Sequence, residues 1–105
     1  MKAEMNDREL LELAAKAAGV EVIWNSLCDC FLRSEPGVGS VSWSPLTDDG
    51  DALRLAVKLG AGLNTSHPKT LCFSTANDVI ESHGSDPYAA TRRAIVRAAA
   101  EIGKQ

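Results

Sequence analysis

A chain of 105 residues is long enough for one domain with its own core and too short for two. Folding at this size removes roughly 65% of the unfolded chain's surface from water, so metal or disulfide support is not required. With 45% hydrophobic and 24% charged residues the composition excludes a disordered tail, and a net charge of -3 argues against a general nucleic-acid binder, which carries a basic excess.

The first seven residues enter a charged helix start with no apolar stretch of the kind a secretory signal carries, and no apolar run in the chain approaches the length of a membrane span. Three cysteines, Cys28, Cys30 and Cys72, are an odd number in a chain without an export signal. The expectation is a cytoplasmic protein with reduced thiols, no membrane partner and no cofactor.

The first helix starts at Asn6, which caps the free amides while Glu9 reaches back to complete a capping box. Leu10, Leu13, Ala14 and Ala17 recur at helical spacing, Leu11 and Ala18 widen the stripe, and Gly19 is the residue to end it. Val20, Val22 and Trp24 then alternate with Glu21, Ile23 and Asn25, the two-residue period of a strand. A second strand over Cys28–Arg33 completes a hairpin, Glu35–Ser40 is a turn-rich break, and Val41-Ser42-Trp43 is a short extended piece.

The second helix begins where Thr47, Asp48, Asp49 and Asp51 crowd its first turn, with Ala52, Leu53, Ala56, Val57 and Gly60 on one face and Arg54, Lys58 and the aspartates on the other; Gly60 or Gly62 stops it. Two further strands lie between Leu63 and Gly84. Asp86-Pro87 opens the last helix as N-cap and first-position proline. Its stripe is Tyr88, Thr91, Ile95, Ala98, Ala99 and Ile102, and Gly103 marks its end. The order α-ββ-α-ββ-α predicts a single α+β domain over residues 1–105, with one antiparallel sheet of about four strands and helices covering both of its faces.

Two segments resemble a known family: Trp43-Ser44-Pro45-Leu46-Thr47-Asp48-Asp49-Gly50-Asp51-Ala52-Leu53-Arg54-Leu55-Ala56-Val57, and Gly84-Ser85-Asp86-Pro87-Tyr88-Ala89-Ala90-Thr91-Arg92-Arg93-Ala94-Ile95. With the opening helix they are similar to the phage ABA-sandwich family of small phage and prophage proteins, distantly NinX-like. That resemblance implies a helix, sheet, helix layering and an origin in a phage or prophage acting in the host bacterial cytoplasm. It brings no catalytic motif, and Cys28-Asp29-Cys30 and the Leu63–Lys69 loop have no counterpart in it.

Residue chemistry offers three candidate sites. Cys28, Cys30, Cys72, His67 and His83 supply zinc-type ligands, but Cys28-x-Cys30 lacks the spacing of a zinc knuckle, and buried apolar cysteine is the plainer reading. Asp48, Asp49 and Asp51 would suit a magnesium-dependent hydrolase, although acidic residues in a first helical turn are explained by the helix dipole alone. Ser66-His67 and Ser82-His83 are sequence neighbours whose side chains diverge on an extended chain.

Arg92, Arg93 and Arg97 form a basic face on the last helix, fit for phosphates, a nucleotide signal or an acidic partner, or else solvated with Arg97 paired to Glu101. Trp43 becomes an interface residue if it is exposed. These readings favour a non-enzymatic accessory protein that binds a host or phage macromolecule, most simply a protein, in host takeover or counter-defence. A metal-dependent hydrolase and a nucleic-acid or nucleotide-signal binder are the alternatives, and free sheet edges are compatible with a homodimer.

Overall fold

The computed structural model describes residues 5–105. Three helices and six strands follow one another as α1 (Asp7–Ala18), β1 (Val22–Asn25), β2 (Cys30–Glu35), β3 (Gly39–Trp43), α2 (Asp49–Leu59), β4 (Gly62–Asn64), β5 (Lys69–Phe73), β6 (Asp78–Ser82) and α3 (Pro87–Gly103). Among these described residues no helix is long and apolar enough to cross a membrane.

The α+β class and the three helices stand, whereas the single four-stranded sheet does not. Two antiparallel three-stranded meanders take its place, β1-β2-β3 and β4-β5-β6. The stretch expected as a loop break after Glu35 is a hairpin turn that places Glu35 opposite Gly39, with Gly37 and Gly39 both at positive φ. Pairing Phe31 with Trp43 and Arg33 with Val41 promotes the short extended piece to a full strand. In the second half, Leu63 pairs with Cys72 and supplies the extra strand β4.

Helices do not cover both faces of either sheet. Period-two alternation puts Phe31 and Trp43 of the first sheet in the core, while Ile23 and Ser42 face outward. On the second, Thr70, Cys72 and Val79 face α3, and Phe73 and Ile80 lie exposed on the other side. Each sheet therefore has one dry face and one wet one, the usual condition of antiparallel sheets.

The helix starts follow the expected chemistry. Asn6 and Glu9 exchange both bonds of a capping box, at 2.8 and 3.0 Å. Asp48 accepts from the Asp51 amide at 2.8 Å, and Asp86 accepts from the amides of Tyr88 and Ala89 with Pro87 at the first position. Gly19 and Gly60 end α1 and α2 in the left-handed region.

Buried stripes differ in two helices. On α2 the inward residues are Asp51, Ala52, Leu55 and Ala56, so Leu53 and Val57 point to solvent. Both stripes share Ala52 and Ala56; the observed one buries Leu55 and turns the Asp51 carboxylate inward to the Ser44 amide.

The last helix is buried nearly all round. It packs on α1, α2, β5 and β6, with Ala90, Ala94, Ile95, Val96, Ala98, Ala99 and Ala100 out of water, while Tyr88 is exposed. Gly103 is the last residue of this helix, as expected, but not through a left-handed turn: a Cβ there would lie 2.0 Å from the Leu13 carbonyl oxygen, so glycine is what lets α1 and α3 touch.

Candidate functional site

A cleft of about 460 Å3 opens between the N-terminal turns of α2 and α3. Asp49 and Ala52 form one wall, Pro87, Tyr88, Thr91, Arg92 and Ile95 the other, and Thr65 and His83 close the end. A concave, mostly apolar lining with a few convergent polar groups is the common form of a binding site.

Buried polar groups brace it. His83 Nε2 lies 2.9 Å from the Thr70 hydroxyl, which in turn is 2.7 Å from the Thr91 hydroxyl. Thr70 is completely buried, so this chain of bonds locks β5, the turn after β6 and α3 together; its hydroxyl is out of reach as a nucleophile. His67, which precedes the cis peptide at Pro68, stacks obliquely near His83 with ring centroids 5.8 Å apart.

The acidic turn is divided among three tasks. Asp48 caps α2, Asp49 pairs with Arg92 at 2.6 Å, and the buried Asp51 accepts from the Ser44 amide at 2.9 Å and from Arg54 at 2.7 Å. Its hydrogen bond pushes the Arg54 guanidinium up from its ordinary pKa. No group of three or more His, Cys, Asp or Glu side chains that could hold a metal occurs among the described residues.

The zinc-type set is not brought together. Cys28 and Cys30 are joined to each other as a disulfide, correcting the expectation of reduced thiols for those two, and Cys72 alone is free, buried on β5. Two strand residues at i and i+2 would merely share a face, but Cys28 sits in the turn before β2, and Asp29, at φ 55°, folds the chain back between them. Burial, reinforced by the Asp78 carboxylate, pushes the Cys72 thiol pKa up.

The basic face is neutralised pair by pair. Arg92 also donates to the Leu46 carbonyl at 2.9 Å, Arg93 reaches Asp7 at 3.1 Å, and Arg97 pairs with Glu81 across to β6. Arg97 thus leaves Glu101 to Lys104, 2.8 Å away. Trp43 is 5% exposed and belongs to the core, which removes it from the interface candidates.

Of the residues singled out in the sequence, the fold brings Arg92, Asp49 and His83 to one cleft with His67 beside His83, joins Cys28 to Cys30 elsewhere, and leaves Cys72 and Trp43 in the core. Thr70, Thr91 and Tyr88 were legible only as strand and helix residues, since their roles come from neighbours far along the chain. Compared with known proteins, the chain matches no family model, no curated protein and no solved structure.

Proposed function

We propose that this chain is a non-enzymatic binding module, an accessory protein of phage or prophage origin, that engages a host or phage protein through the cleft between α2 and α3. The observation that carries the reading is the surface around that cleft: Tyr88 at its rim is 71% exposed, and Leu53 and Val57, 60% and 72% exposed, continue from Asp49 along α2 at four-residue steps. An aromatic rim and an apolar stripe beside a concavity form an anchor for a protein partner. The polar groups favour binding over turnover, because the Asp49 carboxylate, the Arg92 guanidinium, the His83 ring and the Thr91 hydroxyl at the cleft are already bonded within the fold. The resemblance of the Trp43–Val57 and Gly84–Ile95 segments to phage ABA-sandwich proteins supports the origin and the host cytoplasm as the place of action.

The test is capture from host lysate followed by measurement with the purified partner. Tyr88→Ala and Leu53→Glu should each weaken the complex at least about tenfold, as loss of an interface anchor does. Arg97→Ala should leave it unchanged. Metal-dependent hydrolysis of nucleotides or nucleic acid by the purified chain, abolished by Asp49→Ala, would overturn the proposal, as would nucleic-acid affinity that falls steeply with salt and vanishes when Arg92, Arg93 and Arg97 become alanine.

A further inference from the structure

We propose that Cys28 and Cys30 are a redox-active pair, a surface disulfide that exchanges reversibly with low-molecular-weight thiols of the glutathione class. The bond joins residues only two apart in sequence, at the turn between β1 and β2. Stabilisation by a cross-link rises with the logarithm of the loop it closes, so a loop this small adds the least a disulfide can.

The turn is held without the sulfurs. The Asn25 side-chain oxygen accepts from the Leu27 amide at 2.8 Å and from the Cys28 amide at 3.2 Å. Asp29 takes the left-handed conformation, which aspartate tolerates better than most residues. Reduction therefore leaves both sulfurs near one another and poised to rejoin.

Access is open. Cys28 is exposed beside Leu27, which is 97% exposed, and Cys30 lines a cleft of about 310 Å3 with Trp24, Phe31 and Arg8. Exposed disulfides of little structural value are the exchangeable ones, whereas buried thiols are inert. Cys72 is completely buried and takes no part.

In the exchange a glutathione thiolate attacks the exposed Cys28 sulfur, the Cys28–Cys30 bond breaks, and Cys30 departs as a thiolate that takes a proton from water. A second glutathione thiolate then attacks the glutathione sulfur of the mixed disulfide. Cys28 leaves as thiolate and glutathione disulfide is formed. Two electrons pass to the protein pair, two thiols are oxidised to one disulfide, and oxidation runs through the same steps reversed.

The experiment equilibrates the full chain with reduced and oxidised glutathione in varying ratio, quenches by alkylation, and counts thiols by intact mass with circular dichroism in parallel. The pair should titrate reversibly in millimolar glutathione with an unchanged spectrum. Once reduced, Cys28 should alkylate on the order of 100-fold faster than Cys72, whose modification requires local opening. Cys28→Ser and, independently, Cys30→Ser should each abolish the two-electron step while leaving the fold intact. A disulfide that withstands millimolar reduced glutathione until the protein unfolds would overturn the inference, and so would two free thiols persisting in excess oxidised glutathione.

Discussion

Replacing Gly103 with alanine would put a methyl carbon 2.0 Å from the Leu13 carbonyl oxygen, 2.8 Å from its carbonyl carbon and 3.2 Å from its Cα. A carbon and an oxygen come no closer than about 3.3 Å in ordinary contact, so α1 must retreat by more than an ångström. The obstacle is backbone and cannot rotate aside. Overpacking of this kind costs about 1–3 kcal/mol, and a backbone obstacle places it at the upper end; alanine's advantage over glycine inside a helix offsets about 1 kcal/mol, leaving a net loss of about 2 kcal/mol.

Fraying the last turn offers an escape, but it forfeits the Lys104-to-Ala100 and Gln105-to-Ile102 backbone bonds, at 3.0 and 3.1 Å. At about 1 kcal/mol each, that route costs a similar amount. Thermal unfolding should therefore fall by about 8–16 °C for a domain of this size. Gly50→Ala is the internal control: its new Cβ would meet only the ends of the Arg54 and Asp48 side chains at 3.2 Å or more, so a shift of a few tenths of an ångström suffices and the loss should be far smaller than for Gly103→Ala. An unchanged or higher melting temperature for Gly103→Ala would refute the close approach of α1 and α3 and return Gly103 to an ordinary helix end.

The orientation of α2 predicts that Leu55→Ala costs about 2–5 kcal/mol in chemical denaturation while Leu53→Ala stays within about 0.5 kcal/mol, because the first empties a buried position and the second does not. Asp51→Ala should lose about 1–3 kcal/mol by the same assay, since it orphans the Ser44 amide, and Asp49→Ala, an exposed partner, should lose much less. For Cys72 the folded thiol holds its proton more tightly than the unfolded one, whose ordinary pKa is 9.0. As pH rises past that value the unfolded chain releases a proton that the folded chain keeps, so stability falls with further alkalinity. Denaturation midpoints across alkaline pH should decline less steeply in Cys72→Ala, and equal slopes would show that the thiol is not shielded.

Local chemistry along the chain determined where the helices begin and which glycines end the first two. Asn6 with Glu9, Asp48, and Asp86 with Pro87 act within four residues of themselves, and Gly19 and Gly60 need only their own backbone freedom. Strand periodicity likewise showed which residues of β1 share a face. Tertiary structure decided the remainder. Strand pairing joins residues with no local signal for one another, so β4, the full length of β3 and the split into two sheets emerged only when Phe31 met Trp43 and Cys72 met Leu63. Two apolar stripes were available on α2, and packing against α3 settled on the one that buries Leu55. The cleft gathers Thr65, His83 and Thr91 around Asp49 and Arg92, residues distant in the chain, and the Cys28–Cys30 bond depends on a left-handed turn at Asp29. Capping and turn preferences are short-range properties of a few side chains, whereas burial, pairing and clefts belong to surfaces that exist only after the chain has closed on itself.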